Sequence, residues 1–552
     1  MAEAEQHCNR CCCCCCCLQR QRAGSAPIAA PPLTNHRHPL RCRQVMCTDE
    51  RVGVPTATTT ATAIVRVWWR QQQQIGCDGE QSEEMEIRSI WQQQQQQNQQ
   101  EQNQQQQQHN RTPNLATWLP LPPSALLSAP SNKMPRTSEQ IDGALRVFAH
   151  DKAAKGDERS VMLLDLSVLG DQLDRWKVLL PRVHPYYAVK CNDDRRVLAE
   201  LARLGTGFDC ASPAEIDTVL SLHGVTPDRI VFANPIKSPV AIRHASKQHV
   251  HLTTFDSIDE VKRILAHHTH HPKLSPPFSA QLTSSFPRLL LRIAYADPSA
   301  LCQLNKKFGI APGDEAEKLL EAAHKLGAPV VGVAYARRTN GFGRNARALF
   351  QAIEEASKLF RYARKHLGLE MTTLDIGGGF PGDQNSLMVE IAYYINKALD
   401  SHFADVHKLR VIAEPGRYFV SRAGTLLTRV LAHKTVPRSE ITENKSDKHG
   451  VGRMLYIADG HFGVFNAILN DHARPRGRPL SGDDEDGESV PTTIWGPTCD
   501  SLDLVEKNVQ LSQSVESGHY LVYADMGAYT LSTASEFNGF ARPECRYLEP
   551  SV

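Results

Sequence analysis

Lys190 closes the stretch His184-Pro-Tyr-Tyr-Ala-Val-Lys190, a short β-prone run that gives way to Cys-Asn-Asp-Asp194 and a helical pattern from Arg195. A lysine at the mouth of a strand can act as a covalent nucleophile toward carbonyl groups; it can equally keep its head in water as an ordinary strand-end side chain. Leu374-Asp-Ile-Gly-Gly-Gly-Phe-Pro-Gly382 sets Gly377, Gly378 and Gly379 directly after another apolar run. Backbone amides free of Cβ crowding can wrap an anion there, whereas a tight turn needing positive φ accounts for one glycine better than for three. Ile412-Ala-Glu-Pro-Gly-Arg417 adds Glu414 and Arg417 at a third strand end. The carboxylate would keep a pyridine nitrogen protonated and the planar guanidinium suits a phosphate, or the two form a structural ion pair.

These residues need elements that bring them together. From Tyr186 onward a short β-rich run, a turn and a helical segment repeat along the chain. Strands are expected at 186–189, 207–209, 230–233, 252–255, 289–293, 330–333, 374–376 and 411–413, with helices between them such as 195–204 and 346–366. Eight such units predict an α/β fold built on a closed (β/α)8 barrel of TIM type rather than an open doubly wound sheet. After Arg417 the β-prone runs 418–434, 453–457, 492–495, 520–522 and 545–547 predict a C-terminal β domain, joined by an early strand near Met162. The expected organisation is a leader over 1–135, an N-terminal segment over 136–180 that contributes to the β domain, the barrel over 181–417 and the β domain over 418–552. On a barrel, side chains just beyond the strand C-termini converge on one mouth. Lys190, Asp209, Arg292, the glycine triplet, Glu414 and Arg417 then share one rim. A lysine, a phosphate cradle and a carboxylate together describe a pyridoxal 5'-phosphate site.

Composition narrows the alternatives. The leader holds the unbroken run Cys11 to Cys17 and the glutamine-rich tract 92–108, with too little patterned apolar surface to offset the entropy of ordering it. Eleven of the 16 cysteines lie there (Cys8, Cys11 to Cys17, Cys42, Cys47 and Cys77). Cys191, Cys210, Cys302, Cys499 and Cys545 are scattered and show no paired CxxC spacing, so neither a disulfide framework nor a zinc site is indicated. His267, His268, His270 and His271 fall in a His-, Pro- and Ser-rich surface insertion, read as a solvated loop rather than a metal site. A net charge of +2 without a basic stripe gives no reason to invoke nucleic acid, and no apolar stretch reaches the length of a membrane span. A soluble protein of the reducing cytoplasm is expected.

Six motifs in order, Tyr187-Ala-Val-Lys-Cys-Asn192, Gly207-Phe-Asp-Cys-Ala-Ser212, Leu374 to Gly382, Glu414-Pro-Gly-Arg417, Trp495-Gly-Pro-Thr-Cys-Asp500 and Asp525-Met-Gly-Ala-Tyr529, make the chain resemble the eukaryotic ornithine decarboxylases over about 150 to 548. These are pyridoxal phosphate enzymes of the barrel-plus-β-domain class, called fold type III. The resemblance implies that Lys190 carries the cofactor, that Glu414 partners its ring nitrogen, and that Gly377, Gly378, Gly379, Arg417 and Tyr529 contact its phosphate. Asp209 and Glu215 match acidic positions near the lysine, and Arg292 is retained on the same rim. Cys499 matches the residue that handles the proton after carbon dioxide leaves, Asp471 and Asp500 match those that grip the distal amine, and Phe537 matches an apolar wall. The implied reaction is decarboxylation of L-ornithine to putrescine in a homodimer whose β-domain Cys-Asp motif completes the partner's site. Antizyme is an implied partner for the surface over 233–248, and the family's long acidic tail is expected to be missing beyond Val552.

The sequence also departs from that family. After the sixth strand Ala336-Arg-Arg-Thr-Asn-Gly-Phe-Gly343 stands where the family carries His-x-Gly-Ser, whose histidine stacks on the cofactor and whose serine binds phosphate. Phe462 and Asn470 replace two family tyrosines. A weakly active or inactive relative of the antizyme-inhibitor kind is therefore an alternative, as are a lysine decarboxylase of the same fold and a plain binding protein on a barrel scaffold. The Cys499-Asp500 pair argues against diaminopimelate, whose second carboxylate would want a cation at that place.

Overall fold

The computed structural model describes residues 136–268, 286–294, 307–335, 346–382, 385–444, 446–447, 449–480 and 488–550. The Cys- and Gln-rich leader, Cys302, His270 and His271, and the segment 336–343 lie outside the described residues.

Eight parallel strands close into a barrel: β2 (Val183–Ala188), β3 (Gly207–Cys210), β4 (Ile230–Phe232), β5 (Leu252–Phe255), β6 (Arg288–Ile293), β7 (Val330–Tyr335), β8 (Thr373–Asp375) and β9 (Arg410–Ala413). Closure comes from β9 pairing back onto β2, with Val183 opposite Val411 and Pro185 opposite Ala413. The strands read as nearly continuous apolar runs because both faces are covered. Tyr186, Val231, Leu252, Leu290, Ala334 and Ile412 fill the barrel interior as one cluster. Their alternates, among them Tyr187, Ile230, Leu289 and Leu291, belong to the larger core that includes the surrounding helices.

Local chemistry sets where those helices start. Ser212, Ser238 and Ser257 each accept a backbone N–H three residues on and cap the helices Pro213–Leu220, Pro239–Lys247 and Ile258–His267. Proline at the first helical position reinforces two of these starts. The connections that lead from β3, β4 and β5 into these three helices are short in consequence, and their side of the barrel is where the site forms.

The remaining strands make a separate sheet in the order β12-β15-β10-β11-β13-β14. They are β10 (Gly424–Pro437), β11 (Val451–Ile457), β12 (Gly477–Pro479), β13 (Ser489–Trp495), β14 (Leu504–Ser512) and β15 (Tyr520–Tyr523). The early strand β1 (Val161–Asp165) pairs antiparallel with β10 and parallel with the last strand, β16 (Glu544–Leu548). Both ends of the described chain thus meet in the β domain. Three details differ from the sequence reading. The run 418–434 opens with helical turns over 417–423, and the strand begins only at Gly424. Strand β14 is absent from that reading because Glu506, Lys507 and Asn508 interrupt its apolar pattern, and β12 because it is three residues long and contains Gly and Pro.

Candidate active site

Lys190 does not end β2 itself. It sits on a single 3-10 turn, Val189–Cys191, that follows the strand. The turn is pinned by the motif 525–529 of the β domain: Tyr529 N–H donates to the Cys191 carbonyl at 2.8 Å, and the Asn192 side-chain amide donates to the Gly527 carbonyl at 2.9 Å. Tyr187 adds a hydroxyl bond to the Asn192 carbonyl at 2.9 Å. Asp525 and Tyr529 both hold left-handed φ, +60° and +55°, a conformation costly for a tyrosine and tolerated where the surroundings over-determine it. Asp525-Met-Gly-Ala-Tyr529 is therefore the clamp on the lysine turn.

Lys190 Nζ lies 2.6 Å from Asp209 Oδ2, on the C-terminal end of β3. About half of the lysine side chain (48 %) opens to the barrel mouth, while Asp209 is buried. Desolvation works against the ammonium, but Asp209 first, then Glu414 and Tyr529, hold its pKa above the ordinary lysine value. Asp209 Oδ1 is buried and has no hydrogen-bond partner among the described residues, so an acceptor is left over beside the lysine. Cys191, next in sequence, is pushed up to about 12 by burial and is no nucleophile. Glu215 accepts the Ala211 N–H at 2.5 Å, and burial raises its pKa.

Below the lysine three carboxyl groups, Asp209, Asp375 and Glu414, face one another with Arg292 as the nearby cation. Burial raises Asp375 to about 7, and it raises Glu414 well above the carboxylate range, with Asp375 and Asp209 adding repulsion. Arg292 attracts both groups from β6, where its guanidinium also lies 5.3 Å from the Phe308 ring. Clustered carboxyls of this kind keep a shared proton or require a cation. Asp375 was missed by the sequence reading. Its signal was available: a charged residue inside the apolar run Leu374-Asp-Ile376, at a strand C-terminus.

The glycine triplet corrects the sequence argument. Gly377 and Gly379 have φ of +63° and +89°, and a Cβ on Gly378 would come within 2.8 Å of the Glu414 carbonyl oxygen. Backbone geometry gives every glycine a reason, so the triplet does not by itself demand an anion. The Gly377 N–H is already taken by Asp375 Oδ1 at 2.9 Å, and the Gly377 carbonyl accepts Glu414 N–H at 2.7 Å. What the turn does is lock β8 to β9 so that Asp375 and Glu414 meet.

Arg417 lies over the Tyr529 ring, 5.3 Å from its centroid, and is ion-paired within the same chain to Asp471. Asp471 caps the C-terminus of the short helix Ala467–Asn470. Phe537 stacks on Phe462 with centroids 4.3 Å apart, and Cys499 stands exposed on the loop between β13 and β14. Asp500 accepts the Leu502 N–H there at 2.9 Å. The structure therefore gathers Lys190, Asp209, Arg292, Gly377 to Gly379, Glu414, Arg417, Tyr529 and Asp471 around one mouth. Cys499, Asp500 and the Phe462–Phe537 pair belong to the surface of the β domain.

A closed barrel with a lysine at its mouth and a β domain clamping that lysine defines a class of cofactor-dependent enzymes. The family models for the pyridoxal binding domain and the C-terminal sheet domain of pyridoxal-dependent decarboxylases match residues 166–421 and 393–527. The chain is 43% identical over 405 residues to ornithine decarboxylase from Panagrellus redivivus, covering 72% of this chain and 88% of that one. It is 37% identical to antizyme inhibitor 2 from Xenopus laevis, covering 71% and 82%. Among solved structures, the arginine decarboxylase of Paramecium bursaria Chlorella virus aligns with a TM-score of 0.65 and 30% identity, over 74% of this chain and all of that one. The chain belongs to the pyridoxal-dependent decarboxylases, and its cofactor is pyridoxal phosphate. The residues present fit that group: a lysine with an adjacent orphan acceptor, and a buried carboxyl cluster short of cations. Among the described residues no helix is long and apolar enough to cross a membrane, and no group of three or more His, Cys, Asp or Glu could hold a metal.

Proposed function

We propose that this protein decarboxylates L-ornithine to putrescine, and that it works as a cytoplasmic homodimer. The observation that carries the catalytic part is the 2.6 Å pairing of Lys190 with Asp209 above the Asp375–Glu414 pair. Ornithine is the substrate supported by the ornithine decarboxylase relatives; a distal ammonium group would be met by Asp500 and by Asp471, which in this chain is paired with Arg417.

In this reading Lys190 would hold the cofactor covalently, Glu414 would partner its ring nitrogen, Arg292 balances the carboxyl cluster, and Arg417, Tyr529 and the turn Gly377-Gly-Gly379 would hold its phosphate. Bound pyridoxal phosphate supplies the electron sink that accepts the pair left when carbon dioxide departs. The chain's own residues do the rest. Lys190 must give up a proton to solvent at the open barrel mouth before it can act as a nucleophile, and Asp209 Oδ2 orients its nitrogen. Glu414 and Asp375, sharing a proton in a dry site, supply negative charge where a protonated ring nitrogen would sit. Cys499 of a second copy delivers the proton to the substrate carbon, Asp500 of that copy holds the distal amine with Asp471, and Phe537 forms an apolar wall.

Two tests bear on this. The full-length protein given pyridoxal phosphate should show the visible absorbance of lysine-bound cofactor, lost in Lys190→Ala, and should release carbon dioxide from ornithine faster than from lysine or arginine. Absence of both the absorbance and the carbon dioxide would sink the enzyme reading. A second reading, an inactive antizyme-binding relative, is favoured by one observation: the sequence 336–343 lacks the family's His-x-Gly-Ser. Its partner surface would be 233–248, where Ile236 and Val240 are exposed. Binding to antizyme together with failure to load the cofactor would select it.

A further inference from the structure

At the opposite end of the barrel from Lys190 lies a second polar cavity, of about 330 Å³, lined by Asp228, His249, His251, Arg288 and Arg410 with Pro227, Ile230 and Leu252. Its position follows from strand direction. Arg288 and Arg410 are the first residues of β6 and β9, and Ile230 and Leu252 the first of β4 and β5. The proposed catalytic residues stand at the other ends of the strands, with the interior cluster of Tyr186, Val231, Leu252, Leu290, Ala334 and Ile412 between.

The charges in this cavity do not balance. Two arginines face one aspartate. Among the described residues neither Arg288 nor Arg410 has a carboxylate within ion-pair distance, although both are only partly exposed. Burial, and after it the charge of Arg410, lowers the pKa of Arg288, and the same two causes lower that of His184 nearby. Residues 269–285, which lead into β6, contain no Asp or Glu to supply the missing charge. Arg410 is held in place: it donates to the Tyr186 hydroxyl and lies 5.6 Å from that ring, and the hydroxyl in turn donates to the Asp228 carbonyl at 3.2 Å. The imidazoles form a second wall, with His249 and His251 centroids 6.0 Å apart and His251 Nδ1 at 3.3 Å from His268 Nε2. Two like charges with reduced access to water, lining one cavity and felt by each other, are unfavourable unless an anion joins them.

We propose that this cavity binds a small oxyanion, a phosphate or a carboxylate, clasped by the guanidinium forks of Arg288 and Arg410 with the imidazoles of His249 and His251 as further donors. Planar, bidentate recognition of either group is what paired arginines provide. The cavity is of the size usual for small-ligand sites. It is separate from the cofactor phosphate, which the proposed cofactor site binds at the other end of the barrel.

The test is isothermal titration of the full chain, given saturating pyridoxal phosphate, at constant ionic strength, with inorganic phosphate in one arm and malonate in the other. One saturable site per chain is expected in at least one arm. Binding of phosphate alone assigns a phosphoryl ligand, of malonate alone a carboxylate, and of both the shared oxyanion chemistry. Arg288→Gln and Arg410→Gln should each weaken the site about tenfold or more, the usual effect of losing a charge-assisted contact. Arg361→Gln, an exposed arginine on the helix Arg347–Tyr362, should leave it unchanged. No saturable binding in either arm, equal binding in Arg288→Gln and wild type, or an equal loss in Arg361→Gln would each overturn the proposal. Circular dichroism checks folding. If Arg410→Gln unfolds through loss of its Tyr186 contact, Arg288→Gln decides. Both residues lie at the far end of the barrel from Lys190, so the outcome holds whether or not ornithine is the substrate.

Discussion

Replacing Asp375 with Asn tests the carboxyl cluster most directly. Asp375 is fully buried at the end of β8, and burial, with Asp209 nearby, raises it from the ordinary 3.8 to about 7. Between those values the folded chain keeps a proton that the unfolded chain has released. Stability must then fall as pH rises from about 4 to about 7, and the deficit is complete above that. A difference of about 3 pKa units corresponds to on the order of 4 kcal/mol at most, of which about half falls between pH 5 and 7. Asn cannot ionise, yet its side-chain oxygen can still accept the Gly377 N–H that Asp375 accepts at 2.9 Å. Asp375→Asn should therefore flatten the loss of stability across pH 5 to 7 and leave the cofactor-free protein more stable than wild type at pH 8. Asp375 is also the leading source of repulsion on Glu414, so the variant should let Glu414 ionise at lower pH. Urea unfolding of both cofactor-free proteins at several pH values measures the slope. Parallel pH profiles would refute the assignment of a raised, buried acid to this position.

Further outcomes follow from the same geometry. Gly378→Ala puts a Cβ 2.8 Å from the Glu414 carbonyl oxygen, so it should cost about 1–3 kcal/mol and weaken cofactor retention, read by thermal melting and by visible absorbance after dialysis. Lys237 Nζ and Glu260 Oε1 form an ion pair at 2.9 Å with both side chains buried, and Lys237→Ala or Glu260→Ala should cost about 3–5 kcal/mol by stranding the partner, measured by denaturant titration. Cys499→Ala, at an exposed loop, should change stability by no more than about 0.5 kcal/mol yet slow product formation or alter the product, which chromatography of the amines would detect.

The barrel was legible because its strands are apolar on both faces and its helices announce themselves with Ser caps at 212, 238 and 257. Lys190, Asp209, Arg292 and Glu414 could be placed on one rim by counting strands, since strand polarity alone sends C-terminal residues to one mouth. The β domain was harder to read. Its strands pair across long sequence gaps, as β1 does with β10 and β16, and charged residues interrupt the apolar run of β14. Asp375 was hidden inside a motif read for its glycines.

The sequence alone determined the repeat and the direction of the barrel strands, and therefore that Lys190, Asp209, Arg292 and Glu414 share the barrel mouth, because those depend on local periodicity and chain order. Only the tertiary structure decided that the glycines of 377–379 serve backbone geometry, that Arg417 pairs with Asp471, and that motif 525–529 clamps the lysine turn. It alone set Arg288 and Arg410 together at the far end. These are distances between residues remote in sequence, and no local pattern encodes them.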